Sequence, residues 1–500
     1  MSPICENIFR AYDIRGLYPK EINEETYKLL GNSIGTKISS TNTNKVIVCM
    51  DGRISSSSLK KNLILGLIEV GIDVIDIGML PTPLMYYSLG LLNISNGLMI
   101  TGSHNPKDYN GIKMVIDGTT LFEEHIQEIK HNIINDNILL SDKKGVVEIN
   151  NTIAEEYTKS LQNNLKISNK LNVTIDCSNG VTGIIVKKIF NSFGIKTYII
   201  NEDIDGNFPN HSPDPTNTNN LEQLKKYVKK NNSDVGIAYD GDGDRVIIID
   251  KDTNIIWPDQ LLMYFSYDIL QNNPGVKIVY DIKCSQHLEK IISQNNGIPI
   301  LSRTGHSFIK KTMKHENAKL GGEMSGHIFF ADKWPGFDDG VYSSLRFLEI
   351  LSKHDCMIEA LQDIPKSITT PEINIPFEDN KHFNFMKLFV KLAKFDDAKI
   401  IDIDGIKVIY DFGWGLIRCS NTTSNIGSLC SLFFLYVWQF SHTNHRGILC
   451  YIHLCFTYIA TFHCLGNIDL TLHHLHAQTM NHCTSTMMVA HNAMVILGIK

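Results

Sequence analysis

The feature that restricts this chain most is a repeating alternation. Short β-branched runs end in glycine and polar residues, and amphipathic helical stretches separate them. Lys45-Val-Ile-Val-Cys-Met50 stops at Asp51-Gly-Arg53, and Ser55 to Ser58 then stand where they would cap a helix with Leu59, Leu63, Leu67 and Val70 on its apolar face. Gly71 to Gly78 forms the next strand, closed by Pro81 and Pro83. A helix through Met85, Tyr86 and Leu89 leads to the run Gly97-Leu-Met-Ile100. Strand, helix, strand, helix, strand at this spacing predicts βαβ units on a largely parallel sheet, whose functional loops gather at the carboxyl ends of the strands.

The pattern restarts at Leu171 to Gly180, with helices expected from about Ile184 to Phe193 and from Leu221, and a strand at Val235 to Tyr239. A third round runs from Trp257 to about Pro365, with strands at 277–281 and 298–301. A fourth, β-rich unit begins near Pro371, contains a hairpin turning at Asp404-Gly405, and includes the strand from Gly413. The 500 residues suit three or four domains of about 100–200 residues each.

The charge balance narrows the partners. With 43% hydrophobic and 20% charged residues the composition is that of an ordinary globular protein, and a net charge of -6 supplies no electrostatic reason for nucleic acid or an anionic membrane. Met1 to Glu6 lacks the basic start and apolar core of a secretory signal. The six cysteines before residue 424 form no metal-binding spacing, so a cytoplasmic protein with reduced thiols is expected.

Several loops carry chemistry. In Thr101-Gly-Ser-His-Asn-Pro106, Ser103 follows the apolar run directly, Gly102 permits close approach of a ligand and Pro106 stiffens the turn. A hydroxyl held this way can act as a nucleophile or carry a phosphoryl group. Asp240, Asp242 and Asp244 alternate with glycines just beyond a strand. Carboxylates this close repel unless a divalent cation joins them, and oxygen-only ligands favour Mg²⁺. An EF-hand is excluded because Arg245 takes the sixth loop position and Lys251 the twelfth. Arg245 would place a cation beside the metal, suited to phosphate. Near the start, Tyr12 and Arg15 sit where an apolar strand should give way to a glycine turn. His306 lies in a glycine-containing loop. Glu323, Ser325 and His327 are suited to binding sugar hydroxyls, and Arg418, Ser420, Asn421 and Thr422 to holding phosphate.

Phe9-Arg-Ala-Tyr-Asp-Ile-Arg-Gly16, the Ser103 loop, Asp240-Gly-Asp-Gly-Asp-Arg245 and Gly322-Glu-Met-Ser-Gly-His327 together resemble the α-D-phosphohexomutase family, closest to its bacterial phosphomannomutase/phosphoglucomutase branch. Met324 and Ser420-Asn-Thr-Thr423 favour that branch over the phosphoglucosamine mutases, an alternative reading. The resemblance implies three consecutive similar mixed/parallel α/β sheet domains (1–149, 150–251, 252–367) and a fourth α+β, TATA-box-binding-protein-like domain, incomplete here (368–423). It implies transfer of phosphate between O1 and O6 of a hexose phosphate, mannose and also glucose, through a phosphoserine and a 1,6-bisphosphate. Ser103 would be the phosphoserine, and Ser103, Asp240, Asp242 and Asp244 would hold Mg²⁺. Arg15, His104, Lys113 and His306 would serve catalysis. Tyr12, Arg245, Lys283, His306, Glu323, Ser325, His327, Arg418, Ser420, Asn421 and Thr422 would bind substrate. Glucose or mannose 1,6-bisphosphate would be the activator and small hexose phosphates the partners of a cytoplasmic monomer.

The resemblance stops at Thr423. Residues 424–500 contain three formally charged residues, Arg446, Asp469 and Lys500, yet nine of the 19 histidines and five of the 11 cysteines. Cys450, Cys455, Cys464 and Cys483 lack metal-binding spacing, and His453 and His463 interrupt the apolar stretch Ile448 to Leu465, so neither a metal site nor a membrane segment is favoured. The leading expectation is a foreign, non-native or disordered tail, produced by a shifted reading frame. Loss of the usual closing strand and helix would leave the fourth domain poorly folded. A catalytically impaired phosphosugar-binding relic is therefore the rival function.

Overall fold

The computed structural model describes residues 4–41, 43–168 and 170–353, and further on 367–369, 372–376, 381–392, 395, 397–411, 413–420 and 425–433. Two compact units divide the chain, Met1–Ile364 with 421–423 and Pro365–Ser420 with 424–500.

The first unit contains three sheets built on one plan. In the first, the strands Lys45–Met50, Asp73–Met79, Gly97–Ile100 and Val147–Ile149 run parallel, while Tyr109–Ile116 returns antiparallel beside Gly97–Ile100 and Ile14–Leu17 pairs antiparallel with it. In the second, Asn172–Asp176, Lys196–Ile200 and Val235–Tyr239 are parallel, and Val246–Asp250 returns antiparallel. In the third, Lys277–Asp281, Ile298–Ser302 and Leu320–Gly322 are parallel, and Ile328–Phe330 returns antiparallel. Each sheet thus turns from parallel to antiparallel once. The three turns hold Ser103, the Asp240–Asp244 triplet and the Glu323–His327 loop. The repeat lies in topology rather than in matching residues.

Burial explains the strand sequences. Along Lys45–Met50, Val46 and Val48 enter one apolar cluster with Leu59, Leu63 and Leu67, while Ile47 and Cys49 enter another on the opposite face. A parallel strand covered by helices on both sides has no polar face, so it reads as a continuous apolar run. The second cluster continues from Leu84 and Met85 through Tyr157 and Ile175 to Phe330 and Leu345, so it runs through all three sheets. Trp334 stacks on Tyr87 and Tyr342 at ring separations of 5.8 and 4.5 Å, and Tyr157 donates its hydroxyl hydrogen to Asp339. Aromatic packing therefore ties the third sheet's loops to helices of the first two.

Some local expectations shift. Residues Glu6–Ile8 form a 3-10 turn, and the strand begins only at Ile14, so Arg15 lies inside a strand opposite Gly111 instead of at its end. The apolar run that suggested an earlier strand is broken by Arg10 and Asp13, whose backbone groups bond each other. Ser55 precedes the helix Ser56–Glu69 without capping it. Its hydroxyl accepts from Asn110 Nδ2 at 2.8 Å instead. The helix expected from Ile184 is a 3-10 turn, Val181–Ile184, followed by a short α-helix, Val186–Ser192.

The second unit has an antiparallel sheet ordered Ser367–Thr369, Asn425–Phe433, Gly413–Cys419, Ile406–Tyr410 and Lys399–Ile401, with Ile373–Pro376 also pairing with Asn425–Phe433. The helix Lys381–Leu392 packs Met386 and Phe389 against Ile406, Val408 and Ile426. The strand Asn425–Phe433 lies beyond the point where the resemblance stops, and its backbone still occupies the sheet. Backbone pairing requires extended residues rather than particular side chains. The remainder of the tail, 434–500, lies outside the described residues. Among the described residues, no helix is long and apolar enough to cross a membrane.

Candidate active site

The first unit brings its three turn loops together. Ser103, 2% exposed, has φ +48°, a left-handed conformation that non-glycine residues seldom adopt. Its backbone N–H donates to Thr101 Oγ1 at 2.7 Å, and its Oγ donates to Asp240 Oδ2 at 2.8 Å. His104 Nδ1 lies 3.4 Å from the same hydroxyl.

The triplet loop curls around its own carboxylate. Asp240 Oδ1 accepts from the backbone N–H of Gly243 at 3.0 Å and of Arg245 at 3.1 Å, and Gly243 takes φ +76° to make that turn. Asp242 Oδ2 accepts from Thr82 Oγ1 at 2.6 Å and from Lys113 Nζ at 2.7 Å, and Lys113 also donates to Asp244 Oδ2. All three carboxylates are fully buried, and each offers an oxygen within 4.8 Å of the others. Asp242 Oδ1 is buried and accepts no hydrogen bond. An all-oxygen donor set with an orphaned carboxylate oxygen fits a hard divalent cation.

Electrostatics here are strong because the charged groups are buried. Burial, and then the charges of Asp242 and Asp244, hold the Asp240 carboxyl well above the ordinary range. Burial also opposes ionisation of Asp244, but Lys113 and His327 outweigh it and hold that carboxyl low. Burial disfavours the Lys113 ammonium, yet Asp242 and Asp244 raise its pKa above the ordinary lysine value.

The third sheet adds two histidines with opposite tendencies. His306 and His327 stack at 5.5 Å between ring centroids. Burial and Lys310 lower the His306 pKa; burial acts the same way on His327, but Asp244 overrides it and pushes that imidazole up to about 9. His104 is held well below the usual histidine range by burial and by Arg245 and Arg15. Neutral imidazoles beside a charged one are the arrangement that separates acid from base roles. His327 Nε2 lies 3.3 Å from Asp244 Oδ1, and its Nδ1 lies 2.9 Å from Glu323 Oε2 and 3.0 Å from the Ser325 hydroxyl. Glu323 Oε1 accepts from the backbone N–H of Gly305. Both Glu323 oxygens are thus engaged, one by the Gly305 backbone and the other by His327.

Other expected residues of the first unit fall around this centre. Arg15 donates to Asp13 and to Asn105 in the serine loop. Tyr12 meets the His306 ring edge to face at 5.8 Å. Arg245 Nε lies 3.4 Å from His327 Nε2 and 4.0 Å from Asp240 Oδ2. Lys283 is half-buried in the turn after the strand Lys277–Asp281. In the second unit, Arg418 Nε donates to Asp404 Oδ2 at 3.1 Å, and Nη2 forms an ion pair with the same oxygen at 3.1 Å. Ser420 follows that strand, while Asn421 and Thr422 lie outside the described residues.

Sequence reasoning passed over one group here. Lys310 Nζ donates to Asp338 Oδ1 at 3.0 Å and to the Tyr86 hydroxyl at 2.7 Å, and Asp338 Oδ2 lies 3.3 Å from His306 Nδ1. Asp338-Asp339 before an apolar stretch reads as a helix start, and Asp339 does cap the helix Gly340–Leu351 through the backbone N–H of Tyr342. The capping signal hid its neighbour's part in the site.

Comparison with known proteins agrees with this geometry. Family models described as phosphoglucomutase/phosphomannomutase, alpha/beta/alpha domains I, II and III, match residues 6–138, 155–253 and 257–368. A phosphomannomutase/phosphoglucomutase of Pseudomonas syringae pv. tomato is 45% identical over 425 residues, covering 85% of this chain and 91% of that protein. A phosphoglucomutase of Neisseria gonorrhoeae is 41% identical, covering 85% and 92%. The crystal structure of a phosphoglucomutase/phosphomannomutase family protein from Burkholderia thailandensis superposes with a TM-score of 0.81 at 36% identity, covering 86% of this chain and 94% of that one. With the serine loop and the Glu323–His327 loop both meeting the aspartate triplet, and three family models matched in order along the chain, this protein belongs to the phosphoglucomutase/phosphomannomutase family.

Proposed function

We propose that the chain interconverts hexose 1-phosphates and hexose 6-phosphates, those of mannose and glucose, with Ser103 as the phosphoryl carrier. The observation that carries this reading is the 2.8 Å bond from Ser103 Oγ to Asp240. It seats the hydroxyl on the edge of a carboxylate cluster suited to Mg²⁺. Asp240, Asp242 and Asp244, with an oxygen of the phosphorylated serine, would hold that ion. When bound, it neutralises charge on the transferring group.

The chain's own residues do the rest. A substrate hydroxyl oxygen bonds to phosphorus as the bond from phosphorus to Ser103 Oγ breaks, giving a 1,6-bisphosphate. After the intermediate turns over, Ser103 Oγ recovers the other phosphoryl group. Phosphoryl transfer asks mainly for positioning and neutralisation. Lys113, Arg15 and Arg245 supply positive charge, and Lys113 is kept charged by the carboxylates it bridges. His306, kept neutral by burial, accepts the proton of the attacking hydroxyl; His104 is the neutral imidazole beside the serine. Glu323, Ser325 and His327 orient the sugar with Tyr12 and Lys283. Arg418, Ser420, Asn421 and Thr422 are assigned to the phosphate that is not reacting.

The test is Mg²⁺-dependent conversion of mannose 1-phosphate and glucose 1-phosphate, primed with a trace of the 1,6-bisphosphate, beside Ser103→Ala. Glucosamine 1-phosphate is the comparison substrate. Turnover of the first two, lost in the variant, is the expected result. Preference for glucosamine 1-phosphate, or turnover that survives in Ser103→Ala, would overturn the proposal.

A further inference from the structure

Beneath the Ser103 loop lies a guanidinium to which the reaction above assigns no task. Arg53 is 3% exposed and follows the strand Lys45–Met50. Its Nη1 donates to the carbonyls of Pro106 at 2.6 Å and Tyr109 at 2.9 Å, and its Nη2 to those of Ser103 at 2.8 Å and Asn105 at 2.6 Å. A guanidinium has five N–H donors in a rigid fork, so four of them are spent on one loop. Nε lies 3.2 Å from Asp51 Oδ2. That oxygen accepts hydrogen bonds from Thr101 Oγ1 at 2.8 Å and from the Gly102 backbone N–H at 3.1 Å, while Asp51 Oδ1 accepts from the Arg53 backbone and Ser56 Oγ.

The packing leaves no room for anything else. A Cβ at residue 102 would lie 2.4 Å from Arg53 Nε and 2.5 Å from Cζ, so the arginine by itself requires glycine there. The Phe208 ring, from the loop after the second sheet's strand Lys196–Ile200, covers the guanidinium at 5.0 Å. Ser103 itself holds φ +48°, a conformation that persists only where its surroundings over-determine it.

We propose that Arg53, oriented by Asp51, is a positioning residue for phosphoryl transfer: by gathering the carbonyls of Ser103, Asn105, Pro106 and Tyr109 it holds Ser103 left-handed, with Oγ aimed at Asp240. Arg53 meets the loop from behind through backbone oxygens, so it acts on the reaction only through Ser103. Lysine cannot replace it, because a single ammonium lacks the planar fork that reaches four separate carbonyls. The inference rests on the reading of Ser103 as phosphoryl carrier.

Arg53→Lys is the first test, with kcat, KM and amide hydrogen exchange over 101–109 measured together. A misplaced nucleophile costs about 100-fold in rate, so kcat should fall by that order while KM changes little and the loop amides exchange faster. Wild-type kcat in Arg53→Lys would overturn the inference, as would lost kcat with unchanged loop exchange. Should Arg53→Lys not fold, Asp51→Asn keeps the guanidinium and removes its orienting charge. The same lowered kcat and faster loop exchange are expected, and wild-type values of either would overturn the inference. If the wild-type enzyme turns over no hexose phosphate while Arg53→Lys loosens the loop, the phosphoryl-transfer reading fails, and Arg53 is reduced to a loop anchor.

Discussion

The Thr82 hydroxyl donates to Asp242 Oδ2 at 2.6 Å, and the Thr82 backbone N–H donates to the Asp242 carbonyl at 2.9 Å, so a helix start in the first sheet's domain holds a carboxylate of the second. Partners of this kind fix how a metal ligand points, and their loss typically weakens metal affinity about 10–100-fold. Thr82→Val should therefore raise the Mg²⁺ concentration needed for half-maximal turnover by that factor, with saturating Mg²⁺ restoring most of kcat. A Mg²⁺ titration of both proteins checks this, and an unchanged midpoint would count against Asp242 as a ligand.

Lys113 bridges Asp242 and Asp244 in a buried setting. Removing one partner of a buried ionic group leaves uncompensated charge and costs about 3–5 kcal/mol. Lys113→Met should lose stability of that order in chelator. Mg²⁺ should return part of it, because a cation bound by the folded state alone stabilises it. Urea unfolding with and without Mg²⁺ reads both effects.

Asp339 ties three elements together by accepting from Tyr157, Trp334 and Tyr342. Burial pushes its carboxyl up from 3.8 to about 7. The folded protein therefore binds this proton more tightly than the unfolded chain. Its contribution is fully present below about pH 4 and declines as pH rises through about 7. Relative to Asp339→Asn, which cannot titrate, the wild type should lose stability between about pH 4 and about pH 7. Urea midpoints across that range would reveal it, and parallel profiles would contradict it.

Trp334 is buried among Tyr87, Tyr157 and Tyr342. Truncating a buried tryptophan costs about 3–5 kcal/mol. Because these rings belong to helices of different sheets, Trp334→Ala should also separate the unfolding of the third domain from the first two. Calorimetry of the two proteins would show an added transition; a single, merely shifted transition would mean that the domains stay coupled without this ring.

Much of the centre was legible in the amino-acid order, because its chemistry is local. Three aspartates spaced by glycines after an apolar strand repel one another wherever the loop folds, and they give meaning to a serine at another strand end whose Gly-Ser-His-Asn-Pro setting would by itself suit an ordinary turn. Arg53 was not legible in this way, since four of its partners are backbone carbonyls some fifty residues on, and a carbonyl has no sequence signature. Asp338 was masked by the capping aspartate beside it. Ser55 had the right residue type to cap a helix, yet Asn110 across the sheet offered its hydroxyl a different bond.

In the chain alone, periodicity determined the βαβ plan, loop chemistry singled out the serine and the acidic triplet as candidates, and the motifs carried the resemblance to the family, since each depends on residues a few positions apart. Only the folded molecule decided that each of the first unit's three sheets turns antiparallel at its candidate loop, that Ser103 is held left-handed from behind, and that the pKa values of His306 and His327 are shifted in opposite directions. These depend on burial and on charges brought together from distant segments, and a pKa or a strained dihedral is set by that environment, not by the residue's own identity.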